Sequence, residues 1–157
     1  MKNSVAFFTT TLFAFACLVG CGERTNSEQE GFANQIKQFQ MDYKEAEGND
    51  IAQDNACKAF DEYVKGHPVN NWGATVVEVN SFLGSRWIVA DADGISYKVW
   101  PENDAKWSDL GEDILGRLKV GDEISFSGTV NHEMSFTCSG KMSEPEIQVD
   151  PNSVSIQ

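Results

Sequence analysis

The hydrophobic positions along this chain fall into three successive regimes. Residues 5–19 form a nearly continuous apolar run, too short to cross a bilayer as a helix. Phe32, Ile36, Phe39 and Tyr43 then recur at steps of four, three and four, which predicts one apolar face of an amphipathic helix that Gly48, Asn49 and Asp50 stop. Cys57, Phe60 and Val64 mark a second helix, ended by Gly66 and Pro68, with Cys57 on the same face as Phe60. From Asn71 the period becomes strand-like. Residues 72–82, rich in Val and Thr, and residues 86–89 flank a turn at Leu83, Gly84 and Ser85 and so predict a hairpin. A second turn at Asp91, Ala92, Asp93 and Gly94 leads to a third strand in which Ile95, Tyr97 and Val99 alternate with Ser96 and Lys98, ended by Pro101.

Trp107, Leu110, Ile114 and Leu118 return to helical spacing and place a helix, or a helical turn plus loop, over 104–118. Ile124, Phe126 and Val130 form a fourth alternating strand. Met134, Phe136 and Cys138 alternate with Ser135, Thr137 and Ser139 as a fifth, so that Cys138 is expected to point inward with Phe136. The last extended piece, 146–156, contains Pro151 and is expected at a sheet edge. Three strands, a helix and two more strands predict an α+β fold: a small OB-like five-stranded antiparallel barrel preceded by two helices, with a helix between strands three and four. An open α+β sheet and a lipocalin-like barrel are the alternatives, and the strands are too few for the latter.

The N-terminal run carries more than hydrophobicity. Lys2 precedes it and Leu18-Val19-Gly20-Cys21 closes it, a charged n-region, an apolar h-region and small residues before a cut. Leu18-Val19-Gly20-Cys21 resembles the lipobox of bacterial lipoproteins. That resemblance implies cleavage before Cys21, a diacylglyceryl group on its sulfur and, in many Gram-negative bacteria, an amide-linked third chain; two or more acyl chains give stable attachment to a bilayer. An unlipidated secreted protein is the alternative. Gly22 in place of Asp implies outer-membrane delivery, facing the periplasm or the exterior, if the source is Gram-negative. The expected organisation is a signal peptide over 1–20, a flexible tether over 21–30, a helical front over 31–67 and a barrel over 69–157.

Further likeness lies in Val69-Asn70-Asn71-Trp72-Gly73, in Leu118-Lys119-Val120-Gly121-Asp122-Glu123-Ile124-Ser125-Phe126-Ser127-Gly128, and in Ser139-Gly140-Lys141-Met142-Ser143-Glu144-Pro145-Glu146. Residues 69–148 resemble an OB-fold-like domain of small bacterial proteins of unassigned function. Its motifs are turns and core positions, so the resemblance implies a fold and not an activity.

Charge and cysteine content narrow the partners. The formal net charge is −12, one unit more negative once Lys2 is removed. Such acidity repels phosphate backbones and argues against nucleic acid, while it would steer a cationic partner. If Cys17 leaves with the signal and Cys21 carries lipid, Cys57 and Cys138 remain, and in an oxidising compartment two thiols are expected to pair. Two separate buried thiols are the alternative.

Candidate chemistry is sparse. His67 and His132 have no partner at metal-ligand spacing, and no metal or cofactor is expected. Asp91-x-Asp93-Gly94 opens like a calcium loop, but Trp100 and Pro101 interrupt the pattern before Glu102, so a turn is the better reading. Glu112 and Asp113 read as a solvated face, and no nucleophile elbow or phosphate-binding loop occurs. The tryptophans are more informative. OB barrels bind ligands on the face of strands two and three, where Trp87, Lys98 and Trp100 form a candidate site able to stack on a sugar or a peptide ring. The expectation is a membrane-tethered, non-catalytic binding module for a protein or cell-wall partner, including the case of a protective inhibitor of an exported or incoming protein. An envelope hydrolase without a recognisable motif and a structural or assembly lipoprotein are the alternatives.

Overall fold

A computed structural model describes residues 26–103, 105–111, 113–133 and 137–157. The expected signal peptide, Cys21 and residues 134–136 of the expected fifth strand lie outside the described residues. Among the described residues, five helices and five strands follow one another as α1 (Ser27–Glu45), α2 (Asp50–Val64), β1 (Pro68–Phe82), β2 (Ser85–Ala92), β3 (Ile95–Val99), α3 (Lys106–Gly111), α4 (Asp113–Arg117), β4 (Glu123–Glu133), α5 (Cys138–Ser143) and β5 (Glu146–Ile156). The fold is mixed α+β: two helices precede a closed barrel, and helix fills the connection between β3 and β4.

α1 begins earlier than a tether reaching residue 30 would allow. Asn26 is its N-cap, accepting from the backbone N–H of Glu28 at 2.7 Å and of Gln29 at 3.3 Å, and Glu28 and Glu30 place negative charge at the positive end of the helix dipole. Polar composition suggested a solvated linker there, but the same residues make a good first turn. Gln29 is fully buried: its Nε2 donates to the Gly73 carbonyl at 2.7 Å and its Oε1 accepts from the Gly73 N–H at 2.9 Å. Gly73 lies on β1 before that strand meets β2, so the Gln29 amide satisfies backbone groups that would otherwise form a bare edge.

The barrel closes in the order β1-β2-β3-β5-β4. β1 pairs antiparallel with β4 over Pro68–Thr75 and with β2 over Thr75–Phe82, so it changes partner at Thr75, next to a register shift between Val76 and Glu78. The expected all-antiparallel barrel is corrected at one seam, because β3 and β5 run parallel, Ser96 to Val99 alongside Glu146 to Val149. A longer correction concerns the strand count. The fifth strand is 146–156, which is paired on both sides rather than lying at an edge, and Cys138 opens a helix rather than ending a strand. Pro151 is tolerated because it sits opposite Gly128 at a register shift between Ser127 and Gly128, where no ladder N–H is needed. Thr137 accounts for the Cys138 correction: it caps α5 through its Oγ1, which accepts from the Gly140 N–H at 3.1 Å.

A single hydrophobic cluster runs from the helices into the barrel. Phe32, Ile36, Cys57 and Phe60 on the helices continue into Trp72, Tyr97 and Phe126, whose ring centroids lie 5.8 Å apart for Trp72 and Tyr97 and 5.7 Å for Tyr97 and Phe126. Trp107 of α3 is fully buried and donates from Nε1 to the Arg86 carbonyl at 2.8 Å. Cys57 and Cys138 form a disulfide between α2 and α5, with Cα atoms 5.8 Å apart and 81 positions between them in sequence. Closing a loop of that length removes chain entropy worth about 4 kcal/mol from the unfolded state. An ion pair of Lys141 with Asp61 at 2.6 Å and a hydrogen bond from Gln40 Nε2 to the Met142 carbonyl at 2.9 Å fix the same short helix against α2 and α1.

The Gly128 position has a clear consequence for stability. A Cβ there would overlap the Asp150 carbonyl oxygen and come within 2.9 Å of Pro151 Cα, both backbone atoms of the paired strand. We expect Gly128→Ala to destabilise the protein by about 3 kcal/mol, because the clash can be relieved only by moving β5. Urea unfolding measures this, and an unchanged midpoint would contradict the β4–β5 register.

Candidate functional site

The barrel interior fixes which side chains face out. Ile88 and Ala90 on β2 and Tyr97 and Val99 on β3 are buried inside, and alternation along a strand therefore turns Trp87, Val89, Lys98 and Trp100 to the outer face. The β2–β3 register places Val89 opposite Lys98 and Ile88 opposite Val99, which brings Trp87 and Trp100 together at the same end of the pair.

The three residues expected from sequence as a binding site thus form one cluster. The Trp87 and Trp100 ring centroids are 5.5 Å apart at an interplanar angle of 40°. Lys98 Nζ lies 4.8 Å from the Trp87 centroid and 4.7 Å from that of Trp100, and 4.0 Å from the Glu146 carboxylate on the neighbouring β5. Two cation–π contacts of this kind, partly desolvated, are worth about 1 kcal/mol each. Only 14% of the Lys98 side chain is exposed, so its ammonium is engaged inside the cluster and braces both rings. What the cluster offers solvent is the remaining surface of two half-buried indoles held in fixed positions. The other two tryptophans, Trp72 and Trp107, are fully buried in the core.

Sequence reasoning missed three neighbours of this face. Glu146 was placed at an edge, and its approach to Lys98 follows only from the parallel β3–β5 seam. Asn80 and Phe82 stand opposite Trp87 and Ser85 in the β1–β2 register, and so share the outer face with Trp87. The two-residue turn at Leu83 and Gly84, which sets Phe82 opposite Ser85, is the sequence signal that could have revealed the latter two.

The other candidates resolve differently. His67 is wedged among aromatic rings, with centroids 4.7 Å from Phe32, 5.2 Å from Tyr63 and 6.0 Å from Trp72. Burial pushes its pKa below the ordinary 6.5, and the Glu28 charge and a hydrogen bond to the Tyr63 backbone oppose this more weakly. His132 lies on β4, in register with Gln148. Asp93 and Gly94 have φ of 55° and 78°, both left-handed, and form the tip of a hairpin. No group of three or more metal-ligating side chains occurs among the described residues. Asp113 pairs with Arg117 at 3.3 Å on an exposed helix face, whereas Glu112 lies outside the described residues. An open cleft of about 270 Å³ lies beside Lys106, Leu110, Thr129 and Asn152. At its wall Asp150 accepts from Lys106 Nζ at 2.6 Å and from the Glu102 N–H at 3.1 Å, and Asp109 also lines it.

No protein family matches this chain, and no curated protein matches it.

The depressed pKa of His67 sets a pH dependence. The unfolded chain takes up the proton first, so the stability tied to neutral His67 is fully present above about 6.5 and is lost as pH falls through the lower folded value. His67→Phe, which keeps a ring in the cluster, should remove that part of the slope. Urea midpoints measured at successive pH values would show it, and an identical slope in the variant would contradict the assignment.

Proposed function

We propose that the protein is a lipid-anchored, non-catalytic binding module of the bacterial cell envelope, and that it recognises a protein or cell-wall partner on the outer face of β2 and β3. The observation that carries the binding role is the Trp87–Lys98–Trp100 cluster, two indoles braced by one ammonium on an outward sheet face. Aromatic groups that are already rigid lose little entropy when a ligand stacks on them, so more of the contact energy becomes affinity. Because Lys98 is engaged with both rings and lies near Glu146, the face recognises shape and π surface rather than a free anion. The overall charge of −12 points the same way, toward neutral or cationic ligands and away from nucleic acid. A cationic exported or incoming protein is one such partner, and occupying it would make the module protective.

Support for the anchor comes from Lys2, the apolar run 5–19 and Leu18-Val19-Gly20-Cys21. An acylated Cys21 would leave four residues, Gly22 to Thr25, before the N-cap of α1. At full extension such a segment spans on the order of 15 Å, which keeps the domain at the bilayer surface.

Two measurements test the two halves separately. Cells expressing the full chain and fed an alkyne-bearing palmitate analogue should label it, and Cys21→Ser should abolish the label; an unlabelled native chain would remove the anchor. The native chain should retain a defined partner or muropeptide fraction from envelope extract, and Trp87→Ala with Trp100→Ala should lose about tenfold or more of that affinity, as expected when two stacking contacts go. Equal retention by the double variant would remove this face from the binding role.

A further inference from the structure

The β1–β2 hairpin extends beyond the barrel that carries it. β1 pairs with β4 only as far as Thr75, with last ties at Val76, whose N–H donates to the Asp122 carbonyl at 2.8 Å and whose carbonyl accepts from the Gly121 N–H at 2.8 Å. β2 pairs with β3 only as far as Ile88 opposite Val99. Beyond those limits β1 and β2 have no other strand partner, up to Phe82 opposite Ser85; Val79 still packs on the core and the Arg86 carbonyl accepts from Trp107, so the part that stands clear is the tip from Asn80 to Ser85. Phe82 is 67% exposed and Leu83, at the tip, 90%.

The tip conformation makes this exposure more unusual. Leu83 and Gly84 have φ of 51° and 93°, both left-handed, as in a two-residue type I′ turn. The protein holds a direct comparison, because its second hairpin makes the same kind of turn with Asp93 and Gly94, at φ of 55° and 78°. Aspartate and asparagine tolerate this backbone, whereas leucine is strained in it. Leu83 therefore costs the fold stability through its backbone and recovers nothing through burial. A residue that serves the fold poorly in both respects is expected to serve a contact outside it.

We propose that this hairpin is a membrane-contacting finger whose Phe82 and Leu83 insert into the interfacial layer of a zwitterionic phospholipid bilayer. Three observations favour lipid over a protein pocket. The contact is convex and small: two side chains expose a few hundred Å² at most, short of the roughly 800 Å² per partner of a stable protein interface, whereas a bilayer needs no complementary shape. The segment from Val79 to Ser85 carries no ionisable side chain, in a chain where 23% of residues are charged, so no carboxylate need enter the headgroup layer. The remaining tip residues, Asn80, Ser81, Gly84 and Ser85, are small or amide side chains that remain hydrated at that depth. The net acidity selects a zwitterionic surface, since an anionic one would repel the domain. The inference does not depend on Cys21 or on the Trp87–Trp100 face.

The test uses the chain from Gly22 to Gln157, which lacks any acyl group and contains every described helix, strand and core residue, with phosphatidylcholine vesicles as the probe. The native chain should co-float with the vesicles, undiminished by added salt, and Phe82→Ser with Leu83→Asn should reduce the floated fraction by about tenfold or more, as expected when two inserted apolar side chains are lost. Leu83→Asn alone should melt no lower than the native chain, because asparagine suits the turn, so weakened binding could not be ascribed to unfolding. Leu83→Cys carrying an environment-sensitive dye should shift its emission to the blue on vesicles. Failure of the native chain to float, equal flotation of the double variant, or an unshifted dye would overturn the proposal. So would tip-dependent capture of a protein without vesicle binding, which would assign the finger to a protein partner instead.

Discussion

β1 has to serve two partners, and the rest of the molecule is arranged around the handover at Thr75. A strand that pairs with β4 over its first half and β2 over its second lets five strands close on themselves without an exposed edge strand, which is what a small barrel needs. The Thr75 hydroxyl donates to Glu123 Oε1 at 2.7 Å at the point of exchange, and the register shift between Val76 and Glu78 follows immediately. A bulge adds twist where one is required. The same handover leaves one stretch of β1 without β2 and another without β4. Gln29 covers the first at Gly73, and the second projects as the hairpin.

The helical front is thereby part of the barrel's construction and not an addition to it. Gln29 and Asn26 hold the start of α1 to β1, the latter through a 2.7 Å hydrogen bond from its Nδ2 to the Asn70 carbonyl, and Phe32 then packs against Trp72 with centroids 4.9 Å apart and the rings tilted by 48°. The other end of the front is fixed by a different device. α5 is only six residues long and contributes a single buried side chain, Met142, so burial alone would hold it weakly. The Cys57–Cys138 disulfide, the Lys141–Asp61 pair and the Gln40 hydrogen bond supply what its small apolar face lacks. A short helix between β4 and β5 can thus bridge α1 and α2 and close the front over the barrel.

Periodicity revealed most of this because the core is strictly periodic. Phe32 and Ile36, then Cys57, Phe60 and Val64, then Ile95, Tyr97 and Val99 are all buried, at the positions their spacing predicts. The misreadings occur where a pattern is too short to be decisive. Cys138 continued an alternation that also involves Met134 and Phe136, yet a capping Thr137 outweighs two or three alternating residues. Pro151 argued for an edge, and only the bulge opposite it, invisible in one strand's sequence, makes an interior position possible. The tether was misjudged over 27–30 because helix caps and linkers share a composition of Asn, Ser, Glu and Gln. At the candidate site the residue types and their outward parity were legible, but not the role of Lys98. Lys98 is two positions from Trp100 but eleven from Trp87, and only three-dimensional register shows it lying over both rings and close to Glu146.

That placement changes how the acidity of the chain bears on recognition. Twenty-four carboxylates against twelve basic side chains would ordinarily make electrostatics the dominant feature of any surface on this molecule. In the Trp87–Lys98–Trp100 cluster the ammonium lies between two rings and 4.0 Å from Glu146, and at the hairpin tip charge is absent from Val79 to Ser85. Both surfaces are therefore places where a ligand meets ring or apolar side chain without first displacing a tightly hydrated free ion, which is where burial yields most per unit area. The surrounding negative field acts on an approaching partner over the last ångströms of its path, since beyond a Debye length of about 10 Å it is screened at ordinary ionic strength. On the proposed function, the net charge would bias which partners approach, and the indole face and the finger would determine which of them remain bound.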